Sequence, residues 1–141
     1  MSQAERLAEI CASHADREGP LLPILHEVQA AFGCIDAASE AQIAHTLNLS
    51  RAEVHGVVSF YHDFTAEVDP RPCVELCRAE ACQARGVEAL VGAAEAAAGS
   101  RVKLKTVYCL GLCSVGPAAR IDGVFHARLD QAALIKLVQA A

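Results

Sequence analysis

The sequence predicts an α+β fold in two parts, an N-terminal helical bundle over residues 1–68 and a mixed domain of strands and helices over residues 69–141. Three observations support this prediction. Apolar residues recur at helical spacing up to about residue 61, the segment Asp69-Pro70-Arg71-Pro72 interrupts that pattern, and alternating strand patterns follow it. Because 53% of the 141 residues are hydrophobic, the chain can form packed cores in both parts.

The first two predicted helices each carry one apolar face. The first spans residues 3–15 and ends before Gly19-Pro20, and its apolar face consists of Leu7, Ile10, Cys11 and His14. The second spans residues 22–32, and its apolar stripe consists of Leu25, Val28, Gln29 and Phe32. Gly33 follows it as a C-terminal stop signal.

Two more helices complete the predicted bundle. The pattern over residues 39–47 predicts a short third helix. Ser50 and Glu53 have the spacing of a capping box, which predicts a fourth helix over residues 51–61.

Strands and helices then alternate in the order β-α-β-β-β-α. Residues 73–77 alternate as a strand, residues 86–98 are alanine-rich and helical, and residues 101–108 form the second strand. In that second strand we expect a core face and a solvated face, the first with Val102, Leu104 and Thr106, the second with Lys103 and Lys105.

The last part of the chain predicts a hairpin and a final helix. Residues 119–121 and 124–126 flank Asp122-Gly123, which is a signal for a type I′ turn. Asp130 can cap a last helix. The whole second part can therefore form one sheet backed by two helices.

Seven cysteines are the unusual feature of the composition, and five of them fall between residues 73 and 113. They are Cys11, Cys34, Cys73, Cys77, Cys82, Cys109 and Cys113. The N-terminal segment lacks the basic start and apolar run of a signal peptide, so we expect a cytoplasmic protein. Because the cytoplasm is reducing, metal binding or redox chemistry explains the cysteines better than structural disulfides.

Two cysteine pairs stand at the ends of the first two predicted strands. Cys77 and Cys82 have C-x4-C spacing, Cys109 and Cys113 have C-x3-C spacing, and 26 residues separate the pairs. If the strands are parallel neighbours, both pairs open on the same side of the sheet. Four thiolates can hold zinc or an iron–sulfur cluster, and neither pair has the tight spacing that structural zinc prefers. The spacing favours a [2Fe–2S] cluster with one pair per iron, while zinc, a redox dithiol and plain buried thiols stay open.

Cysteine pairs at this spacing on a β-α-β frame resemble the thioredoxin-like [2Fe–2S] ferredoxins, and more narrowly the small subunit of respiratory complex I and its relatives in NAD-linked hydrogenases and formate dehydrogenases. The resemblance extends into the helical part, at residues 22–29, 32–33 and 57–61. It implies a thioredoxin-like domain over residues 69–141 and makes Pro117 a candidate cis proline. It also implies one [2Fe–2S] cluster, bound by Cys77, Cys82, Cys109 and Cys113. We expect Cys11 and Cys34 to be packing residues and Cys73 to be a small buried hydrophobic residue, so none of the three is expected to bind iron.

The segment Tyr-Cys-Leu-Gly-Leu-Cys at residues 108–113, with residues 116–118 and 126–128, most resembles the gamma subunit of NAD-dependent, molybdenum-containing formate dehydrogenases. This resemblance implies a non-catalytic subunit that carries one electron at a time beside an FMN- and NAD-binding diaphorase subunit. A further subunit, the catalytic one, would hold molybdenum and iron–sulfur clusters. The equivalent subunit of complex I or of an NAD-linked hydrogenase is the alternative.

Other classes of function fit the sequence less well. Residues 42–57 resemble a helix-turn-helix, which raises the alternative of a redox-sensing DNA-binding regulator, but Arg51 is the only Lys or Arg in residues 50–63. The net charge of −5 also argues against binding nucleic acid. A zinc-stabilised adaptor is a third hypothesis. No apolar run is long enough for a membrane span, so we expect no membrane insertion.

Overall fold

The structure is a computed structural model that describes residues 1–141 and divides into two units, Met1–Asp69 and Pro70–Ala141. The first unit contains four helices: α1 Gln3–Ser13, α2 Leu21–Phe32, α3 Ala37–Leu47 and α4 Arg51–Phe60. The elements of the second unit are β1 Cys73–Cys77, α5 Glu80–Ala84, α6 Glu88–Ala98, β2 Lys103–Val107, β3 Ala119–Ile121, β4 Val124–His126 and α7 Gln131–Ala140. The predicted α+β class is confirmed, with one short helix, α5, that the sequence did not predict.

Polar side chains fix where the helices of the first unit begin. The predicted capping box is present, since Glu53 N–H donates to Ser50 Oγ at 3.2 Å and Ser50 N–H donates to the Glu53 carboxylate at 2.8 Å. Helix α3 begins two residues earlier than predicted because Asp36 caps it, accepting a hydrogen bond from Ser39 N–H at 2.7 Å. This bond also holds the pKa of Asp36 below its usual value.

The core of the first unit lies among the four helices and the segments that follow α2 and α4. Its buried members are Leu7, Ile10, Cys11, Ile24, Leu25, Val28, Ile35, Ile43, Ala44, Val54, Val58 and Phe64. The predicted stripe on α2 is wrong at Gln29, which makes polar contacts instead. Its side-chain NH₂ donates to the Gly33 carbonyl at 2.8 Å, and its side-chain oxygen accepts from Thr65 N–H at 3.0 Å. Gln29 thus ties α2 to the segment after α4.

The second unit is built on a four-stranded sheet in the order β2-β1-β3-β4. Strands β1 and β2 are parallel neighbours, as the sequence predicted, and Cys77 lies opposite Val107. Strand β3 runs antiparallel to β1, and β4 pairs antiparallel with β3. The carboxyl ends of β1 and β2 therefore lie at the same edge of the sheet.

Helices α6 and α7 pack on one face of this sheet. The fully buried strand residues in this core are Val74, Leu76 and Ala119, and they meet Ala94, Leu134 and Val138 of the helices. The predicted faces of β2 need correction, because Thr106 is exposed and Lys105 reaches Glu75 of β1 with N and O 3.8 Å apart.

The hairpin is as predicted, with positive φ at both turn residues, 49° at Asp122 and 78° at Gly123. The peptide bond between Gly116 and Pro117 is cis. None of the seven helices combines the length and the apolar character that crossing a membrane demands.

Candidate metal centre

The four cysteines of the two pairs lie at the shared edge of β1 and β2. Cys77 is the last residue of β1 and Cys82 lies in α5, and both are buried, 3% and 2% exposed. Cys109 and Cys113 lie in the segment after β2, and both are exposed. Arg78 N–H donates to the Val107 carbonyl at 2.9 Å, so the two strands stay paired up to the point where the cysteine segments begin.

Backbone N–H groups of both segments surround the Cys77 sulfur. Burial raises the pKa of the Cys77 thiol, but hydrogen bonds from the backbone N–H groups of Ala79, Cys109 and Leu110, together with one from the Cys82 thiol, lower it below its usual value overall. Ala79 belongs to the first cysteine segment, whereas Cys109 and Leu110 belong to the second. The two segments therefore meet at the sulfur of Cys77.

The pKa values of Cys82 and Cys113 shift in the opposite direction. Burial raises the pKa of Cys82, and so do its hydrogen bond to Cys77 and the charges of Cys77 and Cys113. The pKa of Cys113 is raised by its hydrogen bond with Cys109 and by the charge of that group. These effects arise because the sulfurs lie close enough for one thiolate to disfavour the next. A bound cation would remove that repulsion, as metal binding to thiolates does.

The second cysteine segment has the backbone shape that turns its two sulfurs toward each other. Cys109 Sγ lies 3.6 Å from Cys113 Sγ, and Gly111 N–H donates to Cys109 Sγ at 3.3 Å. Both Cys109 and Gly111 have positive φ, 88° and 78°. Glycine adopts this conformation without strain, but a cysteine rarely does, so the turn is set by the site and not by local preference.

Gly116 leaves the space that Cys82 occupies. Its φ of −64° is open to any residue, yet a Cβ added here would lie 2.9 Å from Cys82 Sγ. The same Cβ would lie 3.3 Å from Cδ of Arg85, whose Nε–H donates to the Cys113 carbonyl at 3.2 Å. Neither Gly116 nor Arg85 was predicted as a site residue. In sequence, a glycine before a proline indicates a turn, and a lone arginine indicates a charge on the surface.

The donor set fits an iron–sulfur cluster. No three Cys, His, Asp or Glu side chains converge in the arrangement that one metal ion needs. Four cysteine thiols lie instead as two pairs, and thiolates in pairs are the ligands of a cluster with two irons. The N–H groups that point at Cys77 and Cys109 are the kind of donors that stabilise ligating sulfurs.

The other three cysteines lie away from these pairs. Cys11 is buried in the helical core, as predicted, and Cys34 is half-buried. Cys73, predicted as a buried residue, is half-buried at the start of β1. A strand rises about 3.3 Å per residue, so four residues place Cys73 roughly 13 Å from Cys77.

A parallel β-α-β frame that presents two thiol pairs at one sheet edge defines a small iron–sulfur protein. Comparison with known families agrees: the profile of the thioredoxin-like [2Fe-2S] ferredoxins matches residues 7–141. The chain belongs to this family, whose members carry one [2Fe–2S] cluster. The predicted family and cofactor are thereby confirmed.

Individual relatives are similar over most of the chain. A subunit of the NADH-quinone oxidoreductase of Rhizobium meliloti is 28% identical over 99% of this chain and 89% of its own length. The HndA subunit of the NADP-reducing hydrogenase of Solidesulfovibrio fructosivorans is 26% identical over 82% of this chain and 72% of its own. A chain of air-oxidised NAD⁺-reducing [NiFe]-hydrogenase matches 85% of this chain with a TM-score of 0.66 and 29% identity. This chain spans only 23% of that hydrogenase chain.

Proposed function

We propose that Cys77, Cys82, Cys109 and Cys113 hold the [2Fe–2S] cluster, and that the chain is a one-electron carrier subunit of an NAD-linked oxidoreductase. The observation that carries this proposal is the parallel pairing of β1 and β2, in which Cys77 at the end of β1 lies opposite Val107, two residues before Cys109. This pairing brings both cysteine pairs to the same edge of the sheet. When bound there, a [2Fe–2S] cluster accepts and releases single electrons.

The protein's own groups suit electron transfer and not bond chemistry. Four thiolates would fill the terminal positions of two irons, which would leave no position open for a substrate. The backbone N–H groups of Ala79, Leu110 and Gly111 stabilise negative charge on the sulfurs. The Cys109 and Cys113 pair is exposed, so a cluster held by these residues would be accessible to a redox partner from this side.

The names of the relatives support a partner that handles NAD. They are subunits of an NADH-quinone oxidoreductase and an NADP-reducing hydrogenase, and the structural match is an NAD⁺-reducing hydrogenase. Nicotinamide transfers electron pairs as hydride, whereas an iron–sulfur centre takes one electron. A flavin converts between the two, so we infer an FMN- and NAD-binding diaphorase subunit as the direct partner of this chain.

Three parent complexes are candidates. Residues 108–113 and 116–118 favour an NAD-dependent formate dehydrogenase, whose catalytic subunit holds molybdenum and iron–sulfur clusters. The relatives found by comparison favour NADH:quinone oxidoreductase or an NAD-reducing hydrogenase at least as strongly. An affinity tag on this chain, purification of the native assembly and identification of its subunits would decide between them. A molybdenum subunit supports the first, whereas quinone-reductase or hydrogenase subunits exclude it.

The ligand assignment can be tested in the chain alone. Cys77→Ser should abolish the visible absorption and the EPR signal of the dithionite-reduced protein, because serine replaces a buried thiolate. Cys73→Ser is the matched control on the same strand and should leave both signals unchanged. Loss of the signals in Cys73→Ser, with retention in Cys77→Ser, would show that the assignment is wrong.

A further inference from the structure

One arginine contacts the backbone of both cysteine segments. Arg85 directly follows α5, the helix that carries Cys82, and its N–H group bonds the carbonyl oxygens of Ala81 and Cys82, each at 3.2 Å. Its side chain extends to the other segment, where Nε–H donates to the Cys113 carbonyl oxygen at 3.2 Å. Arg85 thus joins the first cysteine segment to Cys113, which lies 28 positions further along the chain.

The aliphatic stem of the Arg85 side chain lies beside Gly116. Cδ of Arg85 lies 3.3 Å from the position of a Cβ on Gly116, the same position that lies 2.9 Å from Cys82 Sγ. The absent side chain at Gly116 therefore gives room to both Cys82 and Arg85. Arg85 is exposed, so the hydrogen bond from its Nε–H to the Cys113 carbonyl oxygen is the contact that positions its guanidinium.

The charge of Arg85 is not balanced by a carboxylate. Arg78, the other arginine beside the cysteines, is paired with Glu88 through two hydrogen bonds of 2.8 and 2.5 Å. Arg85 makes no ion pair, and its side chain bonds a neutral carbonyl beside the exposed cysteine pair. A cation near a redox centre favours the state with more negative charge, and a partner carboxylate would cancel that effect.

We propose that Arg85 is a positioning residue of the cluster site, which holds the Cys113 segment against α5 and favours the reduced cluster through its charge. This inference rests on the proposed function. Reduction transfers one electron from an added reductant to the oxidised cluster, so the cluster becomes one unit more negative. The guanidinium attracts that added charge, and its Nε–H bond fixes the peptide group that follows the Cys113 sulfur.

Three variants of the cluster-loaded full chain test this. Arg85→Gln removes the charge, Arg85→Lys keeps the charge on a flexible amine, and Lys136→Gln removes one exposed charge from α7 of the same unit as the matched control. The ratio of reduced to oxidised cluster is measured by EPR during titration with dithionite and redox mediators. The loss of iron to a chelator is followed by absorbance.

Arg85→Gln should lower the ratio of reduced to oxidised cluster about fivefold to tenfold at a fixed potential, where tenfold corresponds to about 59 mV for one electron. It should also lose iron several times faster than the wild-type chain. Arg85→Lys should restore the wild-type ratio, and Lys136→Gln should match the wild type in both measurements. A merely structural role for Arg85 would leave the ratio unchanged.

Two results overturn the inference in distinguishable ways. If the wild type holds two irons and two sulfides but Arg85→Gln behaves as Lys136→Gln does, Arg85 has no such role and the proposed function stands. If the wild-type chain holds no such cluster under anaerobic reconstitution, the proposed function fails and the inference fails with it.

Discussion

Replacing Gly116 by alanine tests whether the space beside Cys82 is essential for the site. The backbone at Gly116 has a φ of −64° and ψ of 169°, which alanine before a proline adopts without strain. The added Cβ would nevertheless lie 2.9 Å from Cys82 Sγ, whereas ordinary contacts begin at 3.4 Å. Either the backbone at Gly116 or the Cys82 side chain must therefore move by at least 0.5 Å.

The cost of that movement can be set from the packing. Cys82 is 2% exposed and packs in the core of the second unit, so its sulfur cannot turn into solvent. Forcing an extra methyl group into such a site costs about 1–3 kcal/mol. We expect this cost mainly in the cluster-bound state, because a ligating sulfur cannot shift freely. It corresponds to an affinity for the cluster that is about 5- to 150-fold lower.

Gly92→Ala provides the matched control for this experiment. Gly92 lies inside α6, and a Cβ there would meet no atom within 4 Å. Alanine in a helix interior stabilises by about 0.5–1 kcal/mol relative to glycine, so this variant should fold well and load fully. After anaerobic reconstitution, iron per chain and the rate of iron loss to a chelator are measured for both variants. If Gly116→Ala loads and retains iron as Gly92→Ala does, the reasoning about this space is refuted.

Three further predictions concern stability, measured as the free energy of unfolding by urea titration. Asp36→Ala should lower the free energy of unfolding by about 1 kcal/mol at pH 7. Because the hydrogen bond from Ser39 N–H lowers the folded-state pKa of Asp36, this contribution is complete above the unfolded pKa of about 3.9 and disappears as the pH falls through the folded pKa. A difference that is undiminished at pH 2 would contradict the role of Asp36 as an ionised helix cap. Gln29→Leu should cost about 1–3 kcal/mol, since it leaves Thr65 N–H without its acceptor, and an unchanged midpoint would disprove that role. Gly123→Ala should cost about 1–2 kcal/mol because its φ is 78°, and an equally stable variant would mean that the turn relaxes.

Local patterns were enough to predict most elements of the fold. The capping box at Ser50, the glycine stop at Gly33 and the Asp122-Gly123 turn act within four residues, and each appears in the structure as predicted. Helix α5 was missed because a segment of five helical residues has too few turns to show a period, and its helical form depends on contacts around Cys82.

The contacts that shape the site depend on tertiary structure and leave little trace in sequence. The cysteine spacing predicted that two thiol pairs meet at one sheet edge, and the parallel pairing of β1 and β2 produces that meeting. No local pattern indicates that a side chain at Gly116 would clash with the Cys82 sulfur. None indicates either that the Arg85 side chain donates a hydrogen bond to the Cys113 carbonyl oxygen. Gln29 was placed in an apolar stripe for the same reason, since its partner Thr65 lies 36 residues away.

The unequal exposure of the two cysteine pairs also sets a direction for assembly. Cys77 and Cys82 are covered by the folded unit, whereas Cys109 and Cys113 are open to solvent. A donor that delivers iron and sulfide to the folded chain therefore encounters the outer thiols first. If the proposed partner subunit covers this outer pair, we expect the cluster to be loaded before the two subunits dock.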